Sequence, residues 1–284
     1  RFVTNPLVRK VSFTGSTAVG KSIMAGAADQ VKRVTLELGG KSANIIFADS
    51  DIEAAAASAP GGVFDNAGQD CCARTRILVE RKAFDKFMEH FEKHVKAFRC
   101  EDPNLDSAGM GPLISKKQMD TVTSYIDDTV AFQGTAPTGP GFWVPPTVLM
   151  PKDAKAKSWQ EEIFGPLLPI ISYNSFEEAC SIIARNPDPL AFYVYTESKE
   201  KEKQWLQRIP AGGACVNNSV FHLLNHRLPF GGRGTSGVGA YHGKYSFDTF
   251  SHKKSVLRTP TWPDPSIKYP PFRGKLGLFK KLIG

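Results

Sequence analysis

Residues 8–22 read Val-Arg-Lys-Val-Ser-Phe-Thr-Gly-Ser-Thr-Ala-Val-Gly-Lys-Ser. A short β-rich run (8–14) leads into Gly15, and a small-residue turn then gives way to a helical pattern. Strand, glycine turn and helix in that order are how an α/β fold builds a phosphate-facing corner. Three readings of this corner stay open on its residues alone. Gly15 to Ser22 fits the pattern G-x4-G-K-[ST] of a P-loop, with Lys21 and Ser22 as its phosphate and metal contacts, and Ile45-Ile46-Phe47-Ala48-Asp49 supplies a run like a Walker B strand. A dinucleotide site would instead use Gly15 and Gly20 to bring the backbone close to a pyrophosphate at a helix N-terminus. The third reading is a tight turn before a packed helix.

Working outward, short β-rich runs alternate with helical patterns, the rhythm of an α/β sheet. Residues 34–38 and 43–47 read as strands separated by Gly39-Gly40, and Asp51 is placed to cap an Ala-rich helix over 52–58. The clearest helix is 83–98, where Phe84, Phe87, Met88, Phe91, Val95 and Phe98 recur at spacings of three and four. Ser115 with Gln118, and Ser175 with Glu178, read as capping boxes. Residues 133–148 read as a loop or edge hairpin, 190–195 as a buried strand, and the Pro-punctuated stretch from Thr259 as an irregular arm.

The chain has 284 residues, with 36 Lys and Arg against 28 Asp and Glu, a formal charge of +8. Nearly all of that excess sits in the tail. Lys253, Lys254, Arg258, Lys268, Arg273, Lys275, Lys280 and Lys281 face one acid, Asp264, so the body before them is near neutral. No basic stripe of the kind a nucleic-acid protein carries is visible, and no partner of that class is expected. No window approaches the roughly 18 apolar residues of a membrane span, and no charged n-region precedes an apolar run, so a secretory signal is not expected. Cys71, Cys72, Cys100, Cys180 and Cys215 make an odd set without a C-x-x-C pair, which points to a reducing, cytoplasmic compartment rather than a disulfide framework. The histidines make no metal cluster; His90 and His94 are read as a solvated helix face, and no metal is expected.

Five strings then fall in register. Phe13-Thr-Gly-Ser-Thr-Ala-Val-Gly20 is followed by Leu36-Glu37-Leu38-Gly39-Gly40-Lys41-Ser42, Gly68-Gln69-Asp70-Cys71, Glu161-Glu162-Ile163-Phe164-Gly165-Pro166 and Pro229-Phe230-Gly231-Gly232. Together they resemble the aldehyde dehydrogenase superfamily over residues 1 to about 258, in its C-terminal, catalytic portion. The resemblance implies an α/β fold: the last part of a Rossmann-like cofactor domain over 1–39, a catalytic domain over 40–242, an oligomerisation arm over 243–258 and a basic, Pro-rich tail over 259–284. It implies oxidation of an aldehyde to a carboxylic acid with NAD or NADP, through a Cys thiohemiacetal and a thioester.

In that scheme Cys71 is the nucleophile and Glu37 the base that activates water. Glu37 lies between two leucines in a strand, an odd place for an unpaired carboxylate unless it works there. Gly15, Ser16, Gly20, Leu38, Glu162 and Phe164 match cofactor-binding positions, with Glu162 on the nicotinamide ribose and Phe164 beside the ring, while Phe230 is expected to line the aldehyde entrance. Cys72, out of register, is read as non-catalytic, yet able to join Cys71 in an oxidised species.

Full-length relatives carry roughly 200 residues more before the point matching Arg1, including an oxyanion-hole Asn and the adenosine-ribose contacts. The chain therefore reads as an N-terminally truncated fragment with little activity alone, since one lost oxyanion donor costs about 10²–10³ in kcat. Asn66-Ala-Gly-Gln-Asp-Cys71 is similar to enzymes of aminoaldehydes, whereas the stretch from Gly239 to His252 looks like the fatty- and aromatic-aldehyde branch. A small-molecule aldehyde and a second copy of the chain (dimer or tetramer) are the partners this implies. The end, Leu276-Gly-Leu-Phe-Lys-Lys-Leu-Ile283, mixes apolar and basic residues over about two turns and is expected to touch an anionic membrane surface. The rivals are a P-loop nucleotide triphosphatase using Gly15 to Ser22 and a non-catalytic fragment that binds subunits or membrane.

Overall fold

A computed structural model describes residues 1–126 and 129–283, and the chain divides into a body, Arg1–Phe250, and a second unit, Ser251–Gly284. The body is built on two sheets. β1 (Lys10–Gly15) runs into α1 (Thr17–Ala28), which returns the chain to β2 (Arg33–Leu38), parallel to β1. β3 (Ala43–Ile46) starts the second sheet, followed by α2 (Ile52–Phe64), β4 (Arg76–Glu80), α3 (Arg81–Ala97) and α4 (Lys116–Thr123). β5 (Thr129–Gln133) and β6 (Thr147–Met150) form an antiparallel edge hairpin, and a single helical turn, α5 (Lys157–Gln160), precedes β7 (Leu167–Tyr173). Then come α6 (Phe176–Ala184), β8 (Ala191–Tyr195), α7 (Lys199–Arg208) and β9 (Gly213–Val216). A two-residue strand, β10 (Gly237–Val238), adds antiparallel to β2, and α8 (Gly243–Phe250) closes the body. The sheet orders are β1-β2-β10 and β5-β6-β7-β4-β3-β8-β9, the second parallel from β6 to β9.

The seven-stranded sheet holds the core because its central strands are apolar without alternation, as strands covered on both faces must be. Ile45, Ile46, Ile77, Leu78, Val79, Phe192 and Val194 are fully buried. On one face, Phe84, Phe87, Phe91 and Val95 of α3 pack with α2, and Phe87 and Phe91 stack at 5.3 Å. On the other, Trp205 of α7 meets Phe47, Tyr173, Phe176 and Phe192. Each such aromatic contributes about 1.5–3 kcal/mol by leaving water.

Several expectations need adjusting. α2 does not stop at 58 but passes through Pro60 to Phe64, because Ala59, Val63 and Phe64 bury against the core and outweigh the hydrogen bond that Pro60 cannot make. Neither capping box is complete. Ser115 and Ser175 do accept from the third backbone N–H. Gln118, however, reaches away to the 163–164 backbone, and Glu178 accepts from Asn174 instead. His90 and His94 are half-buried rather than solvated.

The second unit is largely irregular, with one 3-10 turn (Ser266–Lys268) and α9 (Leu276–Ile283). Asp264 accepts from Tyr269 and pairs with Lys268, and Lys275 donates to the Tyr269 carbonyl at 2.8 Å. Leu276, Leu278 and Leu282 of α9 are exposed, as are Lys280 and Lys281.

Candidate active site

Four separate stretches of the body meet around a cavity of about 280 Å³. The end of β1 brings Thr14, Gly15 and Ser16, the end of β2 brings Glu37, Leu38 and Gly39, the turn after α2 brings Cys71, and the turn before β7 brings Glu162 and Phe164. Seven of the nine residues singled out from the sequence share this wall. Ser16 also caps α1, its hydroxyl accepting from the Val19 N–H. Gly20 is not on the wall; it is buried inside α1 against Leu38. Phe230 stands apart too, buried in a cluster with Cys72, Leu190, Ala191 and Tyr193 and stacked on His242 at 5.5 Å.

The P-loop reading fails on this geometry. β1 ends at Gly15 and α1 begins at Thr17, so no loop remains to wrap a phosphate, and the Gly20 N–H already bonds to the Ser16 carbonyl. Lys21 and Ser22 are exposed residues of α1. Asp49 follows a strand of the other sheet, where it accepts from Thr196 and pairs with Lys201.

Glu37 is only 5% exposed, and neither carboxylate oxygen has a hydrogen-bond partner. Burial therefore pushes its pKa up to about 8. A carboxyl group poised there can take a proton from water near neutrality, which an ordinary surface glutamate does poorly.

Cys71 is half-buried on the cavity wall, whereas Cys72 is fully buried behind it. One oxygen of Asp70 accepts both the Cys72 backbone N–H (2.9 Å) and its thiol (3.3 Å). Hydrogen bonding with Cys71, then burial and the Asp70 charge, hold the Cys72 thiol well above its ordinary range. Asp70, Cys71 and Cys72 bring their ligand atoms within 4.8 Å of one another, the one potential metal-ligating cluster among the described residues.

The turn that presents Cys71 is strained. Asn66, Ala67 and Gly68 take successive left-handed φ values of 51°, 54° and 70°. Non-glycine residues in that region cost of order 1–3 kcal/mol each and collect at functional sites. Gln69 holds the turn: it exchanges side-chain bonds with Asn66, and its Oε1 accepts from the Ile114 N–H at 3.1 Å.

Opposite, the Glu162 carboxylate lies over Gly39. Burial raises its pKa, opposed by the Gly40 N–H and the charge of Lys41, and its Oε1 is buried without a partner. Lys41 is itself buried and donates to the Ser158 carbonyl at 2.8 Å. Phe164 is half-turned to solvent with φ 55°, and Gln118 donates to its carbonyl at 2.9 Å and to that of Ile163 at 3.3 Å. Gln118 and Lys41 are the residues that the sequence reading overlooked as parts of the site. Lys41 lies in the Leu36–Ser42 string and was within reach, whereas Gln118 carried only a capping signature.

The residues so arranged belong to a known architecture. The profile of the aldehyde dehydrogenase family matches residues 1–256. Aldehyde dehydrogenase family 3 member H1 of Arabidopsis thaliana is 37% identical over 96% of the chain and 58% of its own length. The dimeric NADP-preferring aldehyde dehydrogenase of Mus musculus is 38% identical over 94% of the chain and 59% of its own. A substrate-bound AldH structure from Staphylococcus aureus superposes with a TM-score of 0.91 at 34% identity, covering 99% of the chain and 62% of that structure. The chain belongs to the aldehyde dehydrogenase family. It spans about three-fifths of the length of these relatives.

Proposed function

We propose that the cavity is the catalytic centre of an NAD(P)-dependent oxidation of aldehydes to carboxylic acids. The observation that carries this is the pairing of a cavity-wall thiol, Cys71, with a buried, unpartnered carboxyl group, Glu37, whose pKa lies near 8. The Cys71 thiolate adds to the aldehyde carbonyl and gives a thiohemiacetal. A nicotinamide cofactor, when bound, supplies the hydride acceptor. The residues present suit such a group: Ser16 stands at a helix N-terminus, Glu162 offers an unpartnered oxygen to ribose hydroxyls, and Phe164 offers a ring edge. Glu37 then takes a proton from water as that water attacks the thioester, and the acid leaves Cys71. One relative is NADP-preferring by name; here either dinucleotide is proposed.

The acyl half of this chemistry needs no cofactor, which gives a direct test on the chain as it stands. An activated ester such as p-nitrophenyl acetate acylates Cys71 to the same thioester. Hydrolysis is expected in the parent, none in Cys71→Ala, and a trapped acyl-Cys71 adduct by mass spectrometry in Glu37→Gln. Acylation elsewhere, or unimpaired hydrolysis in Glu37→Gln, overturns the assignment. Reduction of NAD or NADP with an aromatic or long-chain aldehyde, followed at the reduced-nicotinamide absorbance, tests the complete reaction.

Two further features bear on partners. No helix among the described residues is long and apolar enough to cross a membrane. α9 instead sets Leu276, Leu278, Phe279 and Leu282 on one arc and Lys280 and Lys281 on the other, and this favours peripheral binding to an anionic membrane from a cytoplasmic location. Co-sedimentation with phosphatidylserine vesicles should fall sharply for a chain ending at Arg258; equal binding ends the idea. The exposed Phe247 of α8 suits self-association, which sedimentation equilibrium measures.

A further inference from the structure

Cys71 and Cys72 differ in one respect that matters for oxidants. The first lines the cavity, whereas the second is fully buried in a cluster with Leu190, Ala191, Tyr193 and Phe230, so Cys71 is the thiol that a dissolved peroxide meets. The two sulfur atoms lie within 4.8 Å of each other, and the Cys72 thiol donates to Asp70 at 3.3 Å. Of the other thiols, Cys100 and Cys180 are buried, and Cys215 contacts Nδ1 of His222 at 3.3 Å.

We propose that Cys71 and Cys72 form a reversible oxidation site for hydroperoxides, with Cys71 the peroxidatic thiol and Cys72 the resolving one. Cys71 sulfur attacks the O–O bond, the distal oxygen stays on sulfur as a sulfenic acid, and the leaving alkoxide or hydroxide takes the thiol proton. The Cys72 sulfur then attacks the sulfenic sulfur. Its proton passes to Asp70 and on to the departing hydroxide, so that a disulfide and one water form. Two electrons leave the two thiols and reduce the peroxide.

Adjacent Cα atoms lie about 3.8 Å apart, closer than the usual 4.4–6.8 Å of a disulfide. The bond formed is consequently strained and readily reduced. A competing ring closure onto the Cys72 backbone nitrogen is disfavoured, because that N–H is held by Asp70 at 2.9 Å.

The test is mass spectrometry of the chain after hydrogen peroxide treatment, a readout that needs no turnover and is independent of the dehydrogenase reading. The parent should lose two hydrogens in the peptide holding both residues, and dithiothreitol should restore them. Cys72→Ala, a small buried substitution, should instead gain two or three oxygens at Cys71 that dithiothreitol leaves in place, and Cys72→Ser should behave alike. In Cys71→Ala, Cys72 should stay a free thiol. Sulfinic or sulfonic Cys71 as the main parent product, or a disulfide from Cys71 to Cys215, overturns the proposal. So does a reducible two-hydrogen loss in Cys72→Ala, which would identify the backbone nitrogen as the partner.

Discussion

The carboxylate of Glu162 occupies the space that a β-carbon on residue 39 would need. Glycine at 39 is thus the condition for Glu162 to reach the cavity. Because the obstructed atoms are the far end of a flexible side chain, Gly39→Ala should cost little stability, within about 1 kcal/mol. Its effect falls on the site. Loss of one charge-assisted bond, about 1.5–3 kcal/mol, corresponds to a tenfold or greater fall in nicotinamide-cofactor affinity, with Cys71 acylation by an activated ester unchanged. Equal cofactor affinity in titration calorimetry contradicts this.

Glu37 should make stability depend on pH in the opposite sense to a paired carboxylate. Its folded pKa of about 8 lies above its ordinary value of 4.5. Between these values the folded state keeps a proton that the unfolded chain has lost. Stability therefore falls as pH rises from about 4.5 to about 8, by at most roughly 1.4 kcal/mol per unit, and levels off above. Glu37→Gln should flatten this slope in urea titrations at a series of pH values. Release of the acyl group from Cys71 should show the complementary profile and quicken up to about pH 8.

Gln118 should act as a brace for the turn carrying Glu162 and Phe164. Gln118→Ala removes two bonds to the 163–164 carbonyls, at a cost of about 1 kcal/mol. Amide exchange over 162–165 should speed up, while exchange in α3 stays as in the parent. Unchanged exchange at the turn counts against the brace.

Gly68→Ala tests the strained turn itself. Residue 68 sits at φ 70°, and a β-carbon there would run into the Gly165 carbonyl and come within 3.0 Å of the Pro166 nitrogen. Both obstacles are backbone. The conformational penalty alone exceeds about 1 kcal/mol, and Cys71 alkylation should slow as the turn shifts. Gly61→Ala is the counterpart: nothing lies within 4 Å of that position in α2, so it should be neutral or stabilise by roughly 0.5–1 kcal/mol.

That Cys71, Glu37, Glu162 and Phe164 line one cavity was legible because each lies in a string that resembles the aldehyde dehydrogenases, and Glu37 also because an acid between two buried leucines is costly. The strands β2, β3 and β8 were legible for a related reason: their apolar runs are bounded by turn residues. What escaped was tertiary. Gln118 has the same local signature whether it caps a helix or braces a distant turn. Phe230 could equally have lined the cavity or packed behind it, and only its enclosure with Leu190, Tyr193 and two histidine rings distinguishes the two. The extension of α2 past Pro60 depends on what Val63 and Phe64 bury against. β10 has no pattern at all, being two residues that become a strand because β2 has an open edge.

That last feature governs how the molecule is made. Glu37 and Leu36 are flanked on one side by β1, their neighbour in sequence, and on the other by Gly237 and Val238, almost the last residues of the body to be synthesised. The small sheet thus stays open on the ribosome while the larger one has all its strands available. Pairing over so long a separation in sequence carries a large loop-closure cost. Glu37 gains this flank only once Gly237 and Val238 are in place beside it.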